Sequence, residues 1–182
     1  MVHIFIGLGS NLGHRRRNIL SAWKELTNRV NAQSKKFSFQ LSAPRFPKNA
    51  EEISSPYLSE PLGIDSENWF INAVGTMATE MSPDQLLTEM LAIETDMGRD
   101  RSRGDDRLID LDLLYYDDLI LEQQNLTLPH PGIADRLFVL LPLKELAPEY
   151  SHPVLALTNS EMLAQLKSRK IVKKASWNLE KV

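Results

Sequence analysis

The segment Arg99 to Tyr116, RDRSRGDDRLIDLDLLYY, has two unlike halves. The first is a polar loop carrying Arg99, Arg101, Arg103 and Arg107. The second alternates, with Ile109, Leu111, Leu113 and Tyr115 on one side and Leu108, Asp110, Asp112, Leu114 and Tyr116 on the other. A period of two predicts a strand. Residues i and i+2 of a strand share a face, which sets Asp110 and Asp112 side by side, about 7 Å apart at the backbone. Adjacent carboxylates on an apolar strand repel one another and are costly to bury. A hard divalent cation removes both costs, and Mg²⁺ takes one or two carboxylates together with waters and phosphate oxygens. The upstream arginines suit those same phosphates. The plain alternative is a half-exposed strand that carries two acids by chance. The apolar flanks and the basic loop favour a Mg²⁺–polyphosphate site.

Upstream of this segment, Ser82-Pro83-Asp84-Gln85 predicts a helix start, with Ser82 as N-cap, Pro83 at N1 and Gln85 closing a capping box. Leu86, Leu87, Met90, Leu91, Ile93 and Met97 give its apolar face, and Gly98 its stop. Glu94 lies near the helix end, where the dipole disfavours an acid, so pairing with a loop arginine is expected. Asn68 to Met81 predicts a central strand. Val2 to Leu8 predicts a buried strand that runs into a turn at Gly7, Gly9, Ser10, Asn11 and Gly13. The G-x-G-x-x-x-G spacing is one residue too long for a dinucleotide fingerprint. Ser10 or Asn11 is the expected cap of a helix over Arg15 to Val30, with Arg15, Arg16 and Arg17 on a solvated face. Lys35 to Leu41 is strand-like. Ala43 to Glu52, with Pro44 and Pro47, is a surface excursion, and Ile53 to Leu58 resumes the strand.

Downstream, Asp117-Asp118 predicts a turn and Leu119 to Leu121 a short return strand. Ile133 to Leu137 and Phe138 to Leu146 predict two helical pieces, with Pro142 at N1 of the second. Thr158-Asn159-Ser160-Glu161 opens a further capped helix through Leu166, and Ile171 to Trp177 reads as an edge strand. The order is β-α-β-β-α-β with elements appended. That order predicts an α+β, ferredoxin-like sheet with helices packed on it and a C-terminal extension.

Composition is that of an ordinary globular chain. It has 182 residues, 42% hydrophobic and 25% charged, which suit a single domain over residues 1–182. A net charge of −3 offers no basic field for nucleic acid. The absence of cysteine excludes disulfides, zinc thiolates and cysteine nucleophiles, and fits a cytoplasmic location. No apolar run reaches the length of a membrane span, and the N-terminal MVHIFIGLGSNLG does not read as a signal peptide. Oligomeric state is not fixed by the sequence, a monomer being the default.

Four motifs together resemble the 6-hydroxymethyl-7,8-dihydropterin pyrophosphokinase family of folate biosynthesis. They are IGLGSNLG at Ile6 to Gly13, SEPLG…FINAV at Ser59 to Val74, GRDR…RLIDLDLLYYDD at Gly98 to Asp118, and LTLPHPGIADRLFVLLPLKELAPE at Leu126 to Glu149. Residues 42–53 form an insertion relative to the family, and residues 151–182 match loosely. The resemblance implies transfer of pyrophosphate from the co-substrate ATP to the hydroxymethyl pterin, with AMP leaving. It implies two Mg²⁺ ions on Asp110 and Asp112, and Arg99, Arg101 and Arg107 as catalytic arginines. It further implies ATP contacts at Leu87, Leu113, Thr127 and His130. Pterin contacts are implied at Ser59, Leu62, Phe70, Asn72 and Phe138, with Glu94 bordering the cluster. Leu87, Leu113 and Phe138 are equally readable as core, and His130 as a loop histidine packed between prolines.

The chain also departs from the family pattern. Gly104-Asp105-Asp106 stands where Trp-Gly-Pro is usual, and the loop is about two residues short, so the stacking tryptophan is absent. Phe70 stands where tyrosine is common, Pro131 follows His130 where a tyrosine often sits, and Asn125 replaces a basic residue. Asp105 and Asp106 are expected to weaken anion binding unless they pair with Arg101 or Arg103, so reduced efficiency is expected. The alternatives are a weakened or non-catalytic pterin- or nucleotide-binding relative, a Mg²⁺-dependent nucleotidyltransferase, and a plain interaction module.

Overall fold

A computed structural model describes residues 1–33, 51–99 and 105–178. The strand-like reading of residues 35–41, most of the excursion at 43–52, and Arg101 and Arg103 lie outside the described residues. Along the chain run β1 (Val2–Ser10), α1 (Arg15–Gln33), β2 (Glu51–Ile53), β3 (Tyr57–Ser59), β4 (Phe70–Thr79), α2 (Pro83–Asp96) and β5 (Asp110–Tyr116). After these come β6 (Leu121–Glu122), β7 (Thr127–Leu128), α3 (Leu137–Leu146), α4 (Asn159–Gln165) and β8 (Val172–Lys174).

Six strands form one antiparallel sheet in the order β5-β1-β4-β3-β8, with β2 also on β4; β6 and β7 make a separate small hairpin. Two split β-α-β units interlock: α1 carries the chain from β1 over β4 to the β2–β3 segment, and α2 carries it from β4 over β1 to β5. This is the expected ferredoxin-like arrangement. Because side chains alternate across a strand, β1 serves two cores. Ile4, Ile6 and Leu8 pack beneath α1 and α2 with Ile19, Leu26, Met90 and Ile93. Phe5 packs on the other face with Val74, Tyr115, Tyr150 and the α3 residues Leu140 and Leu143. Gly75 of β4 lets the Trp23 ring lie directly on the sheet, since a Cβ there would overlap the ring.

Several expectations are corrected. The alternation on β5 holds only as far as Leu113. The β1–β5 register shifts there, pairing Ile6 with Leu113 but Phe5 with Tyr115, so Leu114 is the extra residue of a bulge. Tyr115 therefore joins Leu114 in the α3-side core and Tyr116 packs against the other. Residues 131–135 form a turn rather than a helical piece. A single helix starts after Arg136, and Pro142 sits in its interior instead of at N1. Its missing N–H removes the helical hydrogen bond to the Phe138 carbonyl.

The Ser82 capping box forms as expected, whereas neither Ser10 nor Asn11 caps α1. The helix begins four residues past Asn11, and the Ser10 Oγ instead accepts from Asn18 Nδ2 at 3.2 Å. Arg15 is not simply solvated, for its guanidinium donates to the Trp69 carbonyl at 2.5 Å. The strand read as resuming at Ile53 already pairs at Glu51, then breaks where the Ser54 Oγ takes the Val74 N–H at 3.1 Å.

Candidate active site

β1 pairs with both β4 and β5, so residues of one row face the same side of the sheet. One row runs Asp110, Gly9, Asn72, Tyr57 across β5, β1, β4 and β3, and the next runs Asp112, Gly7, Val74. Both rows face α3. The glycines leave a trench, since a Cβ at Gly9 would come within 3.2 Å of the Asn72 Oδ1 and one at Gly7 within 3.4 Å of Leu114. Strand spacing separates the carboxylates from the Asn72 amide by about 10 Å across this trench. The result is a cleft of about 220 Å³, with Asp110, Asp112 and Arg107 at one end and Asn72, Phe70, Ser59 and Phe138 at the other. Gly7 and Gly9 thus belong to β1, not to a turn. Of the three glycines in this segment, only Gly13, with φ at 59°, has the left-handed conformation of a turn.

At the polar end, Arg99 Nη1 lies 2.8 Å from Asp110 Oδ1 and Arg107 Nη1 2.7 Å from Asp110 Oδ2. Arg99 also pairs with Glu94 Oε2 at 2.5 Å. Glu94 is 2% exposed and its Oε1 accepts the Leu111 N–H at 2.8 Å. It therefore anchors the arginine and the strand from behind and does not line the cleft. Burial pushes its carboxyl up, against the pull of that N–H and of Arg99.

Asp112 is less well served, for His130 Nε2 stands 4.0 Å from its Oδ1. Burial, and then the neighbouring Asp110 charge, raise its carboxyl above the usual range. His130 Nδ1 accepts the Gly132 N–H at 3.0 Å, which leaves the neutral ring's proton on Nε2, facing Asp112. Burial lowers the His130 pKa, overriding the pull of Asp112. Two carboxylates side by side, one already paired with arginines and one in need of positive charge, match the oxygen donors that Mg²⁺ selects. Among the described residues no cluster of three or more His, Asp or Glu forms a protein-only cage.

At the other end the Asn72 Nδ2 donates to the Ser59 Oγ at 2.8 Å, and both side chains are buried. Leu62 is 43% exposed on the rim. Thr127 is exposed on β7, two residues before Pro129. Leu113 and Leu87 are not brought to the cleft: Leu113 is 3% exposed in the opposite core, and Leu87 packs against that core. Packing accounts for both.

Three features went unread in the sequence. The Gly7 and Gly9 pair belongs to the strand, and its i, i+2 spacing mirrors that of the two aspartates opposite it. Arg136 also lines the cleft, contributed by the residue just before α3. Asp106 ties together three loops, and its partners are too distant in sequence to announce themselves.

Residues 5–148 match the family model described as 7,8-dihydro-6-hydroxymethylpterin-pyrophosphokinase. This chain belongs to that family. A pyrophosphokinase of this family from Haemophilus influenzae, named 2-amino-4-hydroxy-6-hydroxymethyldihydropteridine pyrophosphokinase, is 34% identical over 167 residues, covering 91% of each chain. One of the same name from Synechocystis is 35% identical over 162 residues, covering 88% of this chain and 74% of that one. A folic acid synthesis protein of Dictyostelium discoideum is 34% identical over 164 residues, 90% of this chain, yet this chain spans only 22% of its length. Among solved structures, the wild-type HPPK-DHPS of Plasmodium falciparum with STZ-DHP superposes over 90% of this chain and 43% of that one. Its TM-score is 0.63 at 15% identity, a likeness of pyrophosphokinase-family fold alone.

Proposed function

We propose that this chain transfers the pyrophosphoryl group of ATP to 6-hydroxymethyl-7,8-dihydropterin, giving the pterin diphosphate and AMP. The observation that carries this reading is a cleft that holds the Asn72 amide, Phe70 and Phe138 together with Asp110, Asp112, Arg107 and Arg136. In it the hydroxymethyl oxygen attacks the β-phosphorus of ATP. The bond from β-phosphorus to the bridging oxygen breaks, AMP departs with that oxygen, and the hydroxyl proton passes to solvent.

Asn72, its orientation fixed by Ser59, reads the ring edge, and Phe70 and Phe138 offer apolar faces to the ring. Unmatched polar atoms on an analogue then go unpaired in a buried setting, which is the basis of discrimination. Arg99 and Arg107, held in place by Asp110 and Glu94, supply positive charge to the polyphosphate. Arg101 takes part with them by the family resemblance. His130 and Thr127 border the nucleotide side, where the Nε2–H of His130 is a ready donor. Asp110 and Asp112 hold the two Mg²⁺ ions, which supply charge neutralisation and phosphate alignment when bound. No side chain acts as a nucleophile.

The test is a purified-protein assay in which AMP release requires both the hydroxymethyl pterin and Mg²⁺, with β-labelled ATP delivering its label to the pterin. Pterin-independent AMP, or pyrophosphate release with AMP attached to the pterin, defeats the reading.

A further inference from the structure

Asp106 occupies the loop position that sets this chain apart from its family, and its carboxylate is taken up by three neutral donors. Oδ1 accepts from Asn11 Nδ2 at 2.6 Å and from Ser66 Oγ at 2.5 Å, and Oδ2 accepts from Asn68 Nδ2 at 2.7 Å. Ser66 Oγ in turn accepts the Asn68 N–H at 3.0 Å, closing a ring of hydrogen bonds within the loop that leads to β4. The other half of the Asn11 side chain is equally committed. Its Oδ1 accepts the Arg107 N–H at 2.7 Å, while the backbone N–H of Asn11 donates to the Arg107 carbonyl at 3.1 Å. An amide has one donor end and one acceptor end. By taking the donor end, Asp106 fixes which way Asn11 faces, and so holds the backbone that presents Arg107.

We infer that Asp106 is a positioning residue that clips the ring-side loop, residues 60–69, to the end of β1 and to the backbone of Arg107. That loop contributes Leu62, Gly63 and Ile64 to the cleft, and Arg107 pairs with Asp110. One carboxylate thus sets the ring-binding end and the phosphate-binding end in a common geometry. A carboxylate suits the task because it only accepts, with room for several donors. Hydrogen bonds to a charged acceptor are also stronger than neutral ones. The inference rests on the pterin reading of the cleft.

The experiment compares the wild type with Asp106→Ala, with Ser66→Ala/Asn68→Ala, and with the exchange Asp106→Asn/Asn68→Asp. The first two, which lose three and two hydrogen bonds to a partly exposed carboxylate, raise the KM for the hydroxymethyl pterin about tenfold. The Kd for a non-hydrolysable ATP analogue without pterin rises by a smaller factor than the pterin KM, because Arg107 keeps its pair with Asp110 when its backbone loosens. Amide hydrogen exchange speeds up across residues 60–69 and at Arg107 in Asp106→Ala. The exchange variant, which restores one donor–acceptor pair, recovers part of the pterin KM. A folded Asp106→Ala with unchanged pterin KM and unchanged exchange overturns the inference. So does a lowered Tm with both substrates weakened equally, because that is a purely structural effect. A wild-type chain without pterin-dependent AMP release sinks the transfer reading instead, and the exchange rates then decide alone whether the clip exists.

Discussion

Asp110 and Asp112 lie two residues apart on one face of β5, yet Asp110 is clamped by Arg99 and Arg107 at 2.8 and 2.7 Å while Asp112 faces His130 at 4.0 Å. The two carboxylates therefore differ in what they cost the folded chain. Asp110→Asn leaves Arg99 with Glu94 alone and takes the carboxylate from Arg107, and lowers stability by about 1–3 kcal/mol. Asp112→Asn removes a crowded charge that burial already disfavours, and leaves the Tm unchanged or raised. Both substitutions reduce pterin-dependent AMP release by about a hundredfold or more. Thermal melts without divalent cation, paired with the AMP assay, separate the two effects. Equal loss of stability in both variants contradicts this division of roles.

Glu94 links β5 and Arg99 through one buried carboxylate, which holds the Leu111 N–H and the guanidinium together. Glu94→Gln keeps an acceptor for Leu111 but withdraws the charge that orients Arg99. It is expected to lower kcat about tenfold with little change in the pterin KM, since Glu94 does not reach the cleft. Glu94→Ala also strands the Leu111 N–H and costs about 1–3 kcal/mol in denaturant unfolding. A raised pterin KM with normal kcat in Glu94→Gln would place the side chain at the ring instead.

Local signals in the sequence translated directly into structure. The Ser82 capping box closes because every participant lies within three residues, and α2 then follows its apolar stripe. The acid pair shares a face because the alternation of β5 is intact from Asp110 to Leu113. What escaped depends on a partner. The bulge at Leu114 exists only in register with Phe5 and Ile6 of β1, so a strict period of two places Tyr115 on the wrong face. Pro142 breaks the rule for N1 because the helix start is set at Arg136, whose carbonyl accepts the N–H groups of Val139 and Leu140. Asp106 looked like a charge at odds with its arginine neighbours. Its partners Asn11, Ser66 and Asn68 lie 95, 40 and 38 residues away, beyond any local pattern.

Gly9 and Gly75 test space in two different ways. A methyl group at Gly9 crowds the end of the Asn72 side chain, 3.2 Å away, touches Phe70 and Asp110 at ordinary contact distance, and fills the trench floor. Gly9→Ala is expected to fold normally and to raise the pterin KM at least about fivefold by turning the Asn72 amide. A methyl group at Gly75 collides with the Trp23 ring, which is packed between α1 and the sheet. Gly75→Ala is expected to destabilise by about 1–3 kcal/mol, the usual cost of overpacking, with KM values unchanged in the folded fraction. Steady-state kinetics and urea unfolding on both variants distinguish the outcomes. Reversal of the pattern would show that the trench at Gly9 is structural.

Glu145 on α3 fastens the far side of the sheet. Its Oε1 accepts from the Ser55 N–H and Oγ at 2.8 Å each, and its Oε2 from the Tyr57 hydroxyl at 2.7 Å, with Lys174 of β8 at 3.0 Å. Desolvation acts upward on this carboxyl, but those donors outweigh it and hold it at about 2, against an ordinary 4.5. The folded state thus binds the Glu145 proton more weakly than the unfolded chain. The associated stability is complete above about pH 4.5 and is lost as pH falls towards 2. Glu145→Gln gives up that contribution at every pH, so its Tm is expected to lie about 2–4 °C below wild type at pH 7. The gap narrows as the pH is lowered from 4.5 to 2, where the wild-type carboxyl is itself protonated. Parallel melts of the two proteins across this range decide the matter, because a gap that stays constant with pH would mean that Glu145 contributes through packing and not through its charge.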